Sequence, residues 1–326
     1  MANHQPNAQD RGFVPVSTLM LFPGAAGRFK VFIRQAGRHV LYASENETFT
    51  REHLARLKQN GMDEVYLLAA DSERFESYVR RNLAGHLLNE TVPLEDRARV
   101  FQATARSLVE AIYDRRLPAR LVRRAQFARI KEFVEKSLAF VTKAGALKQI
   151  ASLMAHDYAS YDHALQVFVY GTSLLGAYGL PEQEMIHAGA GAIMHDLGML
   201  GISNAILDKP GVLTAEERML VQTHPAKGVA MCSGLALPQT TLQCILFHHE
   251  RADGSGYPAG LGSPEIPLHA LATGLVDVYA AMTSPRPYAA AFSPFEALRE
   301  MRDMKQAFDA DMLKRFVMLL SGAEII

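Results

Sequence analysis

The chain has 326 residues, 34 Lys+Arg against 34 Asp+Glu, and 49% hydrophobic residues. That length predicts about two domains with ample material for a core. A formal charge of zero argues against a global polyanion binder such as a DNA-coating protein, and no apolar run approaches the ~18 residues that span a bilayer. The opening MANHQPNAQDRG is polar and has no apolar signal core, so a cytoplasmic location is expected. Cys232 and Cys244 have no C-x-x-C spacing and read as reduced core thiols.

Residues 1 to about 12 are polar and without periodicity. From Phe13 to about Glu90, strand and helix signals alternate. Lys30–Ile33 and His39–Tyr42 read as short strands separated by a turn containing Gly37. Thr50 is an N-cap, with Glu52 in the first turn of a helix that ends at Gly61. Glu64–Leu68 reads as another strand, and Asp71 or Ser72 caps a helix through Arg81. The expectation is a small α/β regulatory domain over 13–90, with no chemistry-bearing cluster. Residues 91–143 are helix-rich and charged, broken at Pro118. Their basic stretch (Arg115, Arg116, Arg120, Arg123 and Arg124) reads either as a solvated helix face or as a dimerising, signal-transmitting helix. From 144 onward helical patterns dominate, as in ALKQIASLMAHD and in SPFEALREMRDM, where Ser293 and Glu296 form a capping-box pair. The expected fold class is multidomain α+β: a small N-terminal α/β domain, a helical linker or homodimerisation region, and an all-α domain over 144–326.

The chemistry is concentrated in this last region. HHERADGSGYP sets His248 beside His249, followed by Glu250, Arg251, Asp253 and a Gly-rich turn through Gly256, Tyr257 and Pro258. Adjacent imidazoles are costly to bury unless something holds them, and a metal is the usual holder. His195-Asp196 in AIMHDLGMLGI is a second metal-type signature. With His163, His224 and Asp277 these make seven nitrogen and oxygen ligands, enough for two cations. Neighbouring His195 and Asp196 reach one site only where a helix end bends, and Gly198 and Gly201 are placed to supply the bend and a close approach.

Six segments in order carry a resemblance: DYASYDH, HDLGMLGI, ILDKPGVLTAEE, THPAKG, HHERADGSGYP and DVYAAMTSPRPY. From about residue 144 onward the chain resembles the HD-GYP family, the cyclic di-GMP phosphodiesterase branch of the HD superfamily of metal-dependent phosphohydrolases. Two cations ~3.5–4 Å apart overcome the charge of a phosphodiester by activating water and clamping the phosphoryl oxygens. By the family pattern Asp196 bridges them, one cation taking His163, His195 and Asp277 and the other His224, His248 and His249. The ligand set suits iron, manganese or zinc, and the resemblance implies iron or manganese. Ala159 stands where some members have a third-metal Glu, which implies two metals. His156, His187 and His269 lie outside the matching segments and read as structural, and His156-Asp157 is a decoy for the His-Asp signature.

Asp196, Tyr257 and Lys209 are the expected catalytic residues. Lys209 and Arg286 are candidate phosphate contacts, Lys209 reading equally as a turn lysine before Pro210-Gly211. Tyr257 in its Gly256-containing loop could bind the phosphate or polarise the scissile group, or anchor the loop. Arg251 and Asp253 are expected to order that loop by ion pairing, and Glu250 to hold a ligating imidazole. Two departures stand out. Met199 replaces the usual Lys of the His-Asp segment, removing a cation from the edge of the site, and Ala280 and Pro285 stand where Asp is common. The resemblance implies hydrolysis of cyclic di-GMP to linear pGpG, or on to GMP. The rival readings are a cyclic-dinucleotide sensor or diguanylate cyclase docking module that does not cleave, and a phosphodiesterase for mixed cyclic GMP-AMP. Binding to DNA is disfavoured for want of a recognition motif and of net charge.

Overall fold

A computed structural model describes residues 12–113, 124–156, 162–284, 291–304 and 306–326. The chain divides into two compact units, Met1–Val100 and Phe101–Ile326.

The first unit holds a four-stranded sheet of β1 (Phe13–Ser17), β2 (Val31–Gln35), β3 (Arg38–Ala43) and β4 (Glu64–Leu68), in the order β1-β4-β2-β3. Every ladder is antiparallel. The β2–β3 hairpin turns on Ala36 and Gly37, both with positive φ (49° and 79°), the conformation that a two-residue turn needs to match strand twist. Helix α1 (Arg51–Gln59) starts at Thr50, whose side chain accepts from the His53 amide. The reciprocal half of that cap comes from His53 and not from Glu52, because the third helical residue is the one that reaches back. Helix α2 (Ser72–Leu88) runs past Arg81 because Leu83 and Leu87 continue its buried stripe.

Alternation along β2 and β4 points Val31, Ile33, Val65 and Leu67 into the core. There Phe29 meets Phe75 and Tyr78 edge-on at 5.2 Å, and Tyr78 hydrogen-bonds the Phe22 backbone. His86, also from α2, packs on the Phe22 ring at 4.7 Å with its Nε2 buried and unpartnered.

The second unit is helical among the described residues. The division between units falls within α3 (Leu94–Ile112). There follow α4 (Arg124–Val141), α5 (Ala144–His156), α6 (Asp162–Gly176), α7 (Glu182–Met194), α8 (Asn204–Leu207), α9 (Ala215–Val221), α10 (His224–Met231), α11 (Gln239–Phe247), α12 (Leu268–Thr283), α13 (Pro294–Asp303) and α14 (Ala310–Gly322). Helices α6 and α7 pack on each other, α12 packs on α6, and α11 packs on α7 and α12. The near-continuous buried run Met185–Met194 lets α7 sit at the centre of this layer. Cys232 and Cys244 are buried free thiols, as the sequence suggested. Ser293 and Glu296 form the expected capping box at α13. No described helix is long and apolar enough to cross a membrane. Arg115, Arg116, Arg120, Arg123, Ala159, Pro285 and Arg286 lie outside the described residues, as does the side chain of His156.

Burial pushes the His86 imidazole down from about 6.5 to about 4, with Asp96 opposing. The folded form therefore binds fewer protons than the unfolded chain between those values. Its stabilising contribution is complete above about pH 6.5 and is lost as pH falls through about 4. His86→Gln should shrink the drop in thermal midpoint between pH 7 and pH 4.5, read by circular dichroism. An unchanged drop would place the acid sensitivity elsewhere.

Candidate metal centre

Five helices present their ends or a buried face to one point. His163 is the second residue of α6, and His195 and Asp196 follow the last residue of α7. His224 is the first residue of α10, and His248 and His249 follow the end of α11. Asp277 lies inside α12, buried at 7% exposure. Beyond α7 the chain tightens into a 3-10 segment, Leu197–Gly201. That segment lies against the start of α10 so closely that a Cβ on Gly198 would sit 1.9 Å from the His224 carbonyl oxygen. Gly198 is thus required for the approach that brings Asp196 beside His224. Gly201 is not, since its added methyl would meet only the flexible Lys227 side chain at 3.3 Å.

All seven side chains singled out in the sequence come together, in two groups. One is His163, His195 and Asp277; the other is Asp196, His224, His248 and His249, and the donor atoms of each group lie within 4.8 Å of one another. Asp196 faces both. Its Oδ2 is 3.5 Å from His195 Nε2, while Oδ1 is 3.2 Å from His224 Nε2 and 3.9 Å from His248 Nε2. Asp277 Oδ1 lies 3.0 Å from His163 Nε2 and 3.8 Å from His195 Nε2, and its Oδ2 is 3.8 Å from His249 Nδ1.

Three imidazoles are fixed by their far nitrogens. Nδ1 of His195 donates to the Ala192 carbonyl at 2.7 Å, that of His224 to Val221 at 2.8 Å, and that of His248 to Ile245 at 3.0 Å. Each bond selects the tautomer whose Nε2 lone pair faces the cluster, the arrangement that orients histidines on metals. The resulting Nε2 atoms of His224 and His248 sit 3.2 Å apart, two acceptors in contact unless a proton or cation lies between them. His195 Nε2 is fully buried without a hydrogen-bond partner, the nearest Asp196 oxygen lying 3.5 Å away. An orphaned, inward-facing nitrogen among carboxylates fits a divalent cation.

The electrostatics agree. Burial would raise both carboxyls, yet His195, His224 and His248 hold Asp196 well below the usual range, and the His163 hydrogen bond with neighbouring imidazoles does the same for Asp277. Burial, with other imidazoles nearby, pushes His248 well down, and burial takes His249 to about 4. Burial also opposes charge on His195, but Asp196 and Asp277 outweigh it and hold the group up at about 9. Both carboxylates and two imidazoles are therefore in their ligating protonation states at neutral pH, and the His195 proton is the one a cation displaces.

The likeness to known proteins is consistent with this arrangement. A family model for the HD domain matches residues 172–312. A cyclic di-GMP phosphodiesterase of Pseudomonas aeruginosa is 33% identical over 201 residues, covering 61% of this chain and 49% of that protein. A 3'3'-cGAMP-specific phosphodiesterase of Vibrio cholerae is 36% identical over 141 residues, 43% of this chain and 31% of that one. The chain thus spans about half the length of the first of these relatives and a third of the second. A solved HDG"Y"P protein from Bdellovibrio bacteriovorus shares the fold, with a TM-score of 0.65 over 95% of this chain and 99% of that one at 19% identity. Residues 172–312 thus match an HD domain, and these relatives are named as cyclic dinucleotide phosphodiesterases.

The loop that follows His249 is held by groups other than those the sequence suggested. Glu250, buried at 4% exposure, was expected on an imidazole. Its carboxylate instead accepts from the amides of Ala259 at 2.7 Å and Leu261 at 2.9 Å, because a loop that doubles back leaves those donors facing it. Arg251 was expected to pair with Asp253. Its Nη1 donates to the His248 and Glu250 carbonyls, while Asp253 accepts from the amide and hydroxyl of Ser255. Tyr257 lies over the His249 ring at 4.7 Å, nearly parallel, and its amide donates to the His249 carbonyl. A Cβ on Gly256 would fall 2.4 Å from the Arg251 nitrogen, so only glycine fits before the tyrosine. Lys209 gives its ammonium to both carboxylate oxygens of Glu217, at 2.9 and 2.6 Å, and Glu217 also closes the capping box of α9. Met199 lies in the 3-10 segment beyond Asp196. Outside the cluster, His187 meets Gln183 and His269 meets Gln243. Tyr113, which no motif marks, donates to the Ile193 carbonyl at the end of α7.

Gly198→Ala should lose about 1–3 kcal/mol of stability or more, because backbone cannot yield as a side chain can. Gly201→Ala should be near neutral. Equal thermal midpoints for the two variants would contradict the close approach at Gly198.

Proposed function

We propose that the chain hydrolyses a 3'–5' phosphodiester of a cyclic dinucleotide, cyclic di-GMP first, to linear pGpG, which a second hydrolysis would convert to GMP, at a two-cation centre. One observation supports this most: Asp196 lies between two donor groups and offers one carboxylate oxygen to each. His163, His195 and Asp277 would hold one cation, His224, His248 and His249 the other, and Asp196 both. Iron or manganese suits this imidazole and carboxylate set, with zinc the alternative. Such cations supply an acidified water and neutralise charge on the phosphoryl oxygens.

The chain's own groups do the rest. Backbone carbonyls fix His195, His224 and His248 before substrate arrives. Tyr257 braces His249 by stacking. Burial, with Asp277 and Asp196 nearby, raises the Tyr257 phenol, so it stays a hydrogen-bond donor to a phosphate oxygen at neutral pH. With Met199 in place of a lysine and Lys209 held by Glu217, charge neutralisation falls mainly to the cations. Both named substrate classes among the relatives, cyclic di-GMP and 3'3'-cGAMP, are compatible with this arrangement. Residues 13–90 are assigned to regulation and 91–143 to linkage or pairing of two copies.

Full-length protein loaded with Fe(II) or Mn(II) should convert cyclic di-GMP to pGpG, followed by chromatography beside the mixed cyclic GMP-AMP. Binding without product from fully loaded protein would select the sensor reading. Asp196→Ala should lose most bound metal by elemental analysis; unchanged content would overturn the bridging role. Tyr257→Phe should keep its metal but slow turnover about 10–100-fold, the worth of a hydrogen bond to a charged group. Unaltered turnover would leave Tyr257 as a loop anchor.

A further inference from the structure

We propose that Tyr113 is a positioning residue for the cation centre, acting through the backbone of the His195-Asp196 turn. The proposal rests on the two-cation reading given above. Tyr113 follows the last residue of α3 and lies 80 residues from its partner Ile193 in sequence. Its hydroxyl donates to the Ile193 carbonyl at 2.8 Å, three residues before Asp196.

This is where α7 stops. A helix end leaves its last carbonyls without the amides that would continue the ladder, and buried carbonyls need other donors. At α7 two side chains serve. Ala192 accepts from the His195 ring and Ile193 accepts from Tyr113. The first bond aims a ligand nitrogen. The second ties down the carbonyl of Ile193, where the chain leaves the helix just before the residue whose carboxylate faces both donor groups. The backbone at Asp196 has left the helix (φ −93°, ψ 10°), so helical hydrogen bonding alone does not set the direction of its side chain. The Tyr113 hydroxyl supplies the missing constraint. Ile112 beside it is a buried core residue and anchors the end of α3.

Removing the hydroxyl while keeping the ring isolates this role. Tyr113→Phe in the full chain should weaken Mn(II) binding to metal-free protein about 10–100-fold, as loss of an outer partner does at metal sites. Turnover lost at limiting Mn(II) should return at saturating Mn(II). Ile112→Val is the control, because it loosens the same helix end without touching the hydroxyl. Mn(II) affinity unchanged in Tyr113→Phe, or weakened equally by Ile112→Val, overturns the proposal. Hydrogen exchange of the metal-free protein gives an independent reading. The amides of 194–198 should exchange faster in Tyr113→Phe than in the parent chain, and equal rates overturn the tether. If the parent chain binds no Mn(II), the two-cation reading falls and the exchange result alone decides whether Tyr113 holds the turn.

Discussion

Two carboxylates, Asp277 buried and Asp196 partly exposed, set among five imidazoles, fix the terms for the helical unit. The neighbouring imidazoles hold Asp196 and Asp277 low against burial, and those two carboxylates hold the His195 imidazole up. The cluster is a set of groups each of which needs the others. Apolar packing alone would leave His195 Nε2 and the His224–His248 nitrogen pair unsatisfied. Divalent cations would meet those demands, which is why the donor set reads as a binding site and not as a structural ion-pair network.

Helix ends make the convergence affordable. A side chain leaving the middle of a helix is tied to its regular direction, whereas one at an end can be turned by a local bend. Four of the five contributing helices use an end, and the exception, Asp277, comes from the most apolar stretch of α12. The same ends supply the carbonyls that hold His195, His224 and His248. Glycine matters where two such ends collide, at Gly198 against His224 and at Gly256 against the backbone that follows His249. Fold and site are thus specified by overlapping sets of residues.

The ligand types were legible in the sequence because they cluster in ordered motifs and because adjacent histidines make poor core residues. Their grouping around Asp196 came from family resemblance, and the distances are compatible with it. Local signals also carried well: the N-cap at Thr50, the capping box at Ser293 and the turn at Gly37 depend on neighbours in the chain. Long-range pairings did not carry. Strand β1 joins β4 across some fifty residues, and nothing local announces it. Glu250 could have turned toward an imidazole or toward its loop, and the choice depended on where the amides of Ala259 and Leu261 came to lie. Lys209 looked free for phosphate until Glu217 folded onto it. Tyr113 had no signal, since a single tyrosine outside every motif reveals its partner only when α3 and α7 meet.

The most direct test is an anomalous-scattering map of crystals grown with Mn(II). Two peaks about 3.5–4 Å apart are expected, one against His163, His195 and Asp277, the other against His224, His248 and His249, with an Asp196 oxygen on each. A single peak, or two that do not share Asp196, would contradict the bridged centre on which the function rests.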